Sequence, residues 1–551
     1  QDLTTGTNNT AIGHQAMLEH TTGGYNIAIG HNAMQDTDAG STSLASQRNI
    51  FIGSHCGGGT WTDTDNSYNT AIGVFAMDSA LAGSVQNVAI GYYALSSVTT
   101  SDANVAVGAN AGYGITTGAS NTAVGASSMY VHSTGGKNTC LGYGTMMDTN
   151  AGSNSLGSDN NVFIGYASGG GTWTDAASEG NVAIGNNTMD SALAGVQQSV
   201  AIGHIALSGV TSGDYNVAVG SYAGAAITTG SSNIAIGLEA MKAHTTANRN
   251  TCIGYKTMYA GTGDSLGSYD NVFIGYQAAS GSWSGDDSNN NVGIGYEAMA
   301  GAMQGSTNNV AVGYEALHDI TTGGDNVAIG FRAGDTLTSA DYNTLIGTGA
   351  GGALTDGGWN VMIGHNAGNL ADTATASAEY NVYIGGSAGR YLDDGLQNVA
   401  IGYEAMKSTG ATQNANYNVA LGYQALLSVT DGDSNIAIGK AAGDAITDSS
   451  SNILIGHSAG SNLTSGSNYN VMIGDGTGQT DTSNLQHCIF VGRNTGTDMT
   501  GGVGDGTVLI GSSAGADITS GEANMAIGYK AMGVHTTGSR NIAIGYNAMD
   551  D

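Results

Sequence analysis

The sequence predicts an all-β fold: a parallel β-solenoid, or β-roll, of about thirty short coils. Three observations predict it. One short motif recurs through all 551 residues, apolar residues within the motif alternate with period two, and the composition combines 91 Gly with no Pro. The absence of proline suits a chain that is hydrogen-bonded as a ladder throughout, because each proline would remove one N–H donor.

The repeated motif is Asn-x-Ala-Ile-Gly, with Val often in place of Ile. It occurs at Asn9 to Gly13, Asn26 to Gly30, Asn216 to Gly220 and Asn541 to Gly545, and successive motif glycines are most often about 17 residues apart. We expect the asparagines to form a hydrogen-bonded ladder from coil to coil. We expect the glycines to permit a positive φ or a close backbone approach at a bend.

Each coil is predicted to contain two short strands. The first is the motif itself, in which the residues three before and one before the glycine share one face and the alanine between them points to the other. The second is indicated about seven residues after the glycine by an apolar β-branched residue and a Thr-rich turn, as at Val98, Ile227, Ile320 and Ile446. Such two-sheet coils, stacked at about 4.8 Å, would make a rod on the order of 140 Å long.

A stripe of alanine and methionine accompanies the strands, as in Ala16-Met17 and Ala240-Met241. If the residues that flank each motif alanine fill the core, this stripe lies on the surface, where a long apolar patch marks an interface. Parallel association about a shared axis, as a homotrimer, would bury it. The alternative is that the stripe is the other half of each coil's own core.

A longer period is superimposed on the short one. The spacings between motif glycines from Gly30 to Gly142 recur from Gly142 to Gly254, and nearly recur from there to Gly364. We therefore divide the chain into residues 1–364, which contain three near-identical six-coil super-repeats, and residues 365–551, in which the coils continue with less regular loops. The pattern indicates growth by duplication of a six-coil block.

The charge balance excludes several classes of partner. With 12 Lys+Arg against 43 Asp+Glu and a net charge of −31, the chain repels nucleic-acid phosphates and anionic membrane surfaces. We expect no membrane insertion, because no apolar run is long enough to span a bilayer. The sequence begins without Met or a signal peptide, as a processed chain or a segment of a longer one would.

No catalytic constellation stands out from the repeat. The carboxylates lie mostly in loops among Ser, Thr and Gly, and no carboxylate pair, Ser/His/Asp trio or phosphate-binding loop is set apart from the background. We therefore expect a protein that is not an enzyme.

Four histidines share one register, about seven residues after the motif glycine, where other coils have a β-branched residue. They are His20, His132, His244 and His535. On a three-fold axis, each would bring three imidazoles together and could hold a metal ion. The alternative is a half-buried turn histidine with no ligand.

Two acidic loops offer oxygen ligands suited to Ca²⁺, namely Asp63 to Asn66 and Asp431 to Asp433. Neither matches a complete calcium-binding loop. We expect no cofactor, and calcium is the candidate that these loops offer.

Three tryptophans, Trp61, Trp173 and Trp283, lie in long glycine-rich loops at equivalent positions of the super-repeat. Exposed aromatic rings on a rigid scaffold can stack on sugars or anchor a protein partner. The three are therefore candidate contacts to a glycan or protein receptor. The alternative is that they anchor the loops against the solenoid.

The Asn-x-Ala-Ile-Gly unit resembles the Asn-Ser-Val-Ala-Ile-Gly repeats of trimeric autotransporter adhesin heads, and it is similar to repeats in some bacteriophage tail fibres. The resemblance covers essentially the full chain, and it implies a left-handed parallel β-roll that forms trimers. The sequence departs from the adhesin pattern in its longer coil, in the Ser that is mostly missing before the strand, and in the lack of stalk heptads or a membrane anchor. These departures shift the expectation toward a viral fibre or a filament.

Together these observations predict an extracellular structural protein, a homotrimeric fibre or adhesin shaft that presents loops to a host or surface receptor. It would belong to a virion tail fibre or a bacterial cell surface. The alternative is a self-polymerising filament subunit, because joining the residues after Gly545 to those before Gly13 completes a coil of about 19 residues. A third hypothesis, ice binding through Thr arrays, is disfavoured because the Thr positions vary between coils.

Overall fold

The computed structural model describes residues 5–20, 22–35, 46–62, 64–147, 157–174, 176–261, 267–283, 286–369, 378–392, 394–408, 414–479, 484–499 and 505–550. The chain divides into two compact units, residues 1–276 and residues 277–551. Each unit is an all-β parallel solenoid, and the described residues form no α-helix. The fold class predicted from the repeat is confirmed. The described ranges hold no helix that could cross a membrane.

Unit 1 contains one three-residue strand for each motif. The strands are β1 (Thr10–Ile12), β2 (Ile27–Ile29), β3 (Ile50–Ile52), β4 (Thr70–Ile72), β5 (Val88–Ile90), β6 (Val105–Val107), β7 (Thr122–Val124), β8 (Thr139–Leu141), β9 (Val162–Ile164), β10 (Val182–Ile184), β11 (Val200–Ile202), β12 (Val217–Val219), β13 (Ile234–Ile236), β14 (Thr251–Ile253) and β16 (Val272–Ile274), with the two-residue β15 (Ala260–Gly261) outside the series. Neighbours in this series pair in parallel and in chain order.

Unit 2 repeats the arrangement. After the two-residue β17 (Ser282–Trp283) come β18 (Val292–Ile294), β19 (Val310–Val312), β20 (Val327–Ile329), β21 (Thr344–Ile346), β22 (Val361–Ile363), β23 (Val382–Ile384), β24 (Val399–Ile401), β25 (Val419–Leu421), β26 (Ile436–Ile438), β27 (Ile453–Ile455), β28 (Val471–Ile473), β29 (Ile489–Val491), β30 (Val508–Ile510), β31 (Met525–Ile527) and β32 (Ile542–Ile544). From β18 onward each strand again pairs in parallel with the next.

The register between neighbouring strands is the same throughout each unit. Motif positions always face their equivalents, as in Val200↔Val217, Ala201↔Ala218 and Ile202↔Val219. The backbone of each motif thus pairs one coil up and one coil down, which is why the short β-branched strands are stable although each has only three residues.

The second strand predicted in each coil is absent from the described residues at the predicted positions. Val98, Ile227, Ile320 and Ile446 are fully buried, but the chain turns immediately after them. Thr228, Thr229 and Gly230 all donate their backbone N–H to the single carbonyl of Thr245, at 2.8, 3.3 and 3.4 Å. A strand ladder spreads its hydrogen bonds over successive carbonyls, so this side of the coil is a stack of turns.

The strand face that points inward is the opposite of the one predicted. The middle residue of the strand is buried, as for Ala28 and Ala218, whereas its two neighbours point outward and stay partly exposed. Ala16 and Met17, which follow the first motif glycine, are also buried. The Ala/Met stripe is therefore the core of each coil. The alternative interpretation of that stripe is confirmed, and the argument that a trimer must cover it is wrong.

Side-chain volume is conserved within each coil by compensation between two core positions. Where the middle strand residue is Ala, the fourth residue after the motif glycine is usually Met or Leu; where it is large, that position is Gly in most coils. A Cβ on Gly57 would lie 2.6 Å from the Phe51 ring, and one on Gly389 would lie 2.4 Å from the Tyr383 ring. Close packing allows one large side chain per layer at this place.

The four cysteines, Cys56, Cys140, Cys252 and Cys488, are free and buried. Burial raises the pKa of Cys56 and Cys488 to about 12. They serve as small core residues. The division at residue 364 marks where the super-repeat loses regularity, and it stays a prediction about sequence rather than about compact units.

Candidate functional site

A ladder of buried asparagines opens the strands. Asn233 donates its backbone N–H to Oδ1 of Asn216 (3.0 Å), and its Nδ2 donates to the same oxygen (3.0 Å) and to the carbonyl of Ala247 (2.7 Å). Its own Oδ1 accepts from the backbone N–H of Asn250 (3.0 Å). Asn9 likewise accepts from Asn26 at 2.8 Å. Each amide satisfies backbone groups that would otherwise be buried without a partner.

The motif glycine turns the chain at the end of each strand. Gly220 has φ +139°, and a Cβ there would lie 2.4 Å from the carbonyl oxygen of Gly237 in the next coil. Gly13 and Gly30 have the same conformation and the same contact. After the glycine, the second and fourth residues adopt positive φ, as Glu239 and Met241 do. This turn sends the first two residues outward and the next two into the core.

The outward strand face, defined here as the first and third residues of each three-residue strand, is the main apolar surface of each unit. These positions hold Val, Ile, Leu, Thr or Met and never a charged residue. Most of these side chains are partly exposed, and some are more so, such as Ile72 at 38% and Ile329 at 40%. Fifteen such strands in each unit repeat these apolar residues from coil to coil along one face, and a large contiguous apolar patch on a soluble chain marks an interaction site.

Aromatic rings contact one another along the turns that follow the strands. In unit 1 one ladder runs from coil to coil with ring centroids 4.9–6.0 Å apart, through His14, His31, His55, Phe75, Tyr93, Tyr113 and Tyr130. In unit 2, Tyr296, Tyr314 and Phe331 stack at 4.8 and 5.1 Å. Stacked rings support one another and add to the stiffness of the coils.

The four histidines singled out by register do not lie on the outer surface. His20, His132 and His244 are buried within their own coils, and His535 is half-buried. The imidazole Nε2 lies 3.1 Å from Asn26 Nδ2 in the first case and 3.2 Å from Asn138 Nδ2 in the second. Rings enclosed in this way cannot meet those of other chains on a shared axis, so that arrangement is wrong for the three buried histidines.

Burial makes these histidines sensitive to acid. Desolvation lowers the pKa of His132 and of His244 from 6.5 to about 4. Because the folded pKa lies below the unfolded value, the unfolded state binds more protons between pH 6.5 and 4. Stability is therefore fully present above pH 6.5 and declines toward pH 4, by roughly 3 kcal/mol for each histidine.

We expect the double variant His132→Ile, His244→Ile to lose most of this acid sensitivity, because Ile227 occupies the same register in another coil. The measurement is the melting temperature of wild type and variant between pH 8 and 4. A fall of equal size in both proteins would show that the buried imidazoles are not the titrating groups.

The acidic loops proposed for calcium are already engaged. Asp433 accepts the backbone N–H of Asn416 at 2.7 Å, and Asp65 accepts the hydroxyl of Ser67; Asp63 lies outside the described residues. No group of three or more His, Cys, Asp or Glu side chains positioned for a metal occurs in the part of the chain that the structure describes. That the protein needs no cofactor stays a prediction.

The tryptophans proposed as receptor contacts are buried. Trp61, Trp173 and Trp283 have no exposed surface, and they are among the largest enclosed side chains. Trp61 packs on Phe51 with ring centroids 5.7 Å apart, and Trp173 packs on Phe163 at 5.6 Å. The Trp173 indole N–H donates to the carbonyl of Gly169 at 3.1 Å. The receptor-contact hypothesis is wrong for these rings, because they anchor the long loops to the core.

An exposed tryptophan was not identified from the sequence. Trp359 is 54% exposed and stacks between Tyr342 (4.1 Å) and Tyr380 (6.2 Å) in unit 2. All three residues lie five positions before a motif glycine and have positive φ. The sequence does contain a sign of this exposed row, because Tyr recurs five residues before the motif glycine. Trp359 is at that register and does not belong to the series of Trp61, Trp173 and Trp283.

Comparison with protein-family models and with curated proteins finds no match to this chain.

Proposed function

We propose that the chain is the non-catalytic shaft of an extracellular fibre, adhesin-like in character, that assembles with copies of itself through the outward strand face. The assembly is a homotrimer about a common axis. The shaft presents its loops to a receptor on a host or on another surface, as part of a virion tail fibre or of a bacterial cell surface.

The observation that carries the proposal is the chemistry of the outward strand face. The chain has a net charge of −31, yet none of the strands in the described residues contains a charged residue. The face of a sheet that lies in water normally carries polar residues. These positions instead hold mainly Ile and Val. Burial of this surface against an equivalent surface would stabilise an assembly by the hydrophobic effect.

The occupant of this face is best supplied by other copies of the chain. The face has one composition and one register along each unit, so an equivalent face, laid parallel to it, meets apolar residues at every coil. Closed rotational symmetry lets each copy bury the same surface and leaves no apolar edge. The acidic side chains, which lie outside the strands, stay in water and discourage further lateral association.

The coil itself supports a mechanical role. The strand backbones and the asparagine amides are both hydrogen-bonded from coil to coil. Side chains of the core are fixed by the same stacking. Bending such a unit would break several hydrogen bonds per coil, which is the property that a spacer needs.

Self-association is tested by placing charge on the outward strand face. We expect the wild-type chain to sediment as a trimer, and the double variant Ile202→Lys, Ile236→Lys to sediment as a monomer, because lysines would meet at the interface. The matched control is Ser208→Lys, Ala225→Lys, which adds the same charge at the register where Lys242 and Lys407 occur naturally. Far-UV circular dichroism verifies that all three proteins fold.

Three results of this experiment would contradict the proposed trimer. A wild-type chain that stays monomeric at about 100 μM, or a lysine variant that remains trimeric, would contradict association through this face. Assemblies of open-ended length would overturn the closed trimer in favour of the alternative, a filament subunit that joins coil to coil.

A further inference from the structure

A cavity of about 230 Å³ opens on the turns of three successive coils in unit 2. The coils begin at the motif glycines Gly330, Gly347 and Gly364. The lining residues come from the first, second and fifth positions after these glycines, and they are Phe331, Arg332, Asp335, Thr348, Gly349, Gly352, Asn366 and Asn369.

The cavity exists because the middle coil lacks two side chains. The second and fifth positions after Gly347 are Gly349 and Gly352, and no other motif glycine in the chain is followed by glycine at both positions. A side chain at Gly349 would fill the space, since its Cβ would lie 2.5 Å from Asn366 Oδ1. The result is a notch one coil high between two coils that keep their side chains, and one coil layer measures about 4.8 Å.

One wall of the notch is an aromatic ring. Phe331 stacks with Tyr314 of the preceding coil, with centroids 5.1 Å apart and planes 13° apart. The aromatic ladder stops there, because the following coil has Thr348 at the equivalent position. The ring is 47% exposed and borders the cavity. The Arg332 guanidinium carbon lies 5.5 Å from the ring centroid, so the part of the ring that borders the cavity is the apolar platform.

The opposite wall is polar. Asn369 Nδ2 donates to Asn366 Oδ1 at 3.2 Å, so the two amides form a hydrogen-bonded pair that lines the cavity. Asp335, which lies in the same coil as Phe331, supplies a carboxylate, and burial raises its pKa to about 6. Arg332 donates through Nε to Glu315 at 2.6 Å, which balances its charge.

We propose that this notch is a saccharide-binding site that takes one neutral hexopyranose ring of a glycan. The apolar C–H face of the sugar lies on Phe331, where a ring the thickness of one coil layer continues the interrupted stack. Its hydroxyl groups bond to the Asn366 and Asn369 amides and to the Asp335 carboxylate, which provide both donors and acceptors. An acidic sugar is disfavoured, because the site has no unbalanced positive charge and the chain is strongly acidic.

The inference names a ligand class for the proposed shaft, and it rests on that function only for its biological setting. Saccharide binding and self-association are measured separately, so each can fail alone.

The test is saturation-transfer NMR on the full chain, with the methyl glycosides of glucose, galactose, mannose and N-acetylglucosamine as probes at about 10 mM. We expect transfer to at least one of them. Gly349→Gln should abolish it, because the new side chain would fill the notch. The variant should fold, because Gln424 occupies the same position of another coil. Phe331→Ala should weaken binding three- to tenfold, the range expected for a lost aromatic contact.

The matched control is Gly476→Gln. Gly476 has the same register and the same φ, +64°, as Gly349, and a Cβ there would lie 2.8 Å from Asn494 Oδ1, but it lies outside the cavity. This variant should bind like wild type. Absence of transfer to all four glycosides would overturn the proposal, and so would undiminished transfer to Gly349→Gln. Sedimentation of the same samples shows whether self-association has changed.

Discussion

Replacing Gly220 by alanine is expected to destabilise the coils around β12 and β13 by about 4 kcal/mol or more. The new Cβ would lie 2.4 Å from the Gly237 carbonyl oxygen and 2.7 Å from its carbonyl carbon, and both are backbone atoms that cannot move without breaking the ladder. The glycine also has φ +139°, a conformation that alanine rarely adopts. Two independent penalties therefore add at one residue.

The measurement is hydrogen exchange of the amides in β12 and β13, because a stacked solenoid can open in parts. The matched control is Gly144→Ala. Gly144 lies at the second position after its motif glycine, where Ala167 has positive φ in another coil, and a Cβ there meets only Met147 Sδ at 3.6 Å. The comparison is between β12 and β13 in Gly220→Ala and β8 and β9 in Gly144→Ala. Equal loss of protection in these two pairs of strands would contradict the explanation by close approach of neighbouring coils.

Replacing Asn233 by alanine is expected to cost about 3–5 kcal/mol. The change removes the acceptor of the Asn250 backbone N–H and the donor to the Ala247 carbonyl, in a place that water does not reach. Buried backbone groups that lose their partners carry the full cost of desolvation. The loss should appear as a lower midpoint of urea denaturation.

The conservative control is Asn233→Ser. At the equivalent ladder position Ser199 accepts the Asn216 backbone N–H through Oγ at 3.1 Å, so serine keeps one of the two functions of the amide. We expect this variant to lose about half as much stability as the alanine variant. If serine and alanine were equally destabilising, hydrogen bonding by the ladder side chain would not explain the effect.

The architecture could be predicted from the sequence because it depends on backbone regularity. The spacing of Gly13 and Gly30 indicates a coil, the alternation around Ala28 indicates a strand, and the asparagine before it indicates a ladder; the structure contains all three. These features need no knowledge of which way the strand faces. The candidate site residues were predicted much less well from the same repeat, because the tryptophans and three of the four histidines are buried.

The inward face could not be assigned from alternation alone, because a period of two identifies two faces and does not say which one is enclosed. Bulky β-branched residues suggest a core, but a coil this narrow has room only for Ala opposite Met17, or for Phe51 opposite Gly57. That exchange of volume was visible in the sequence and would have identified the core. Alternation says nothing of Trp61, which lies in a loop; between a receptor contact and a loop anchor, its packing on Phe51 supports the anchor.

The candidate notch escaped prediction for a different reason. Gly349 and Gly352 are two among 91 glycines, and their importance depends on what the coils on either side retain. Only the stacking of Phe331 below and Asn366 above turns two missing side chains into a cavity.

The uniform register makes coils interchangeable neighbours. Since every strand offers the next one the same three positions, deletion or duplication of a whole coil would leave both new neighbours correctly paired. Within one coil, residues that depend on one another, such as Phe51, Gly57 and Trp61, must be inherited together. Recombination between repeats can thus add or remove whole coils without changing the fold. Related chains should therefore differ in the number of coils before they differ in architecture.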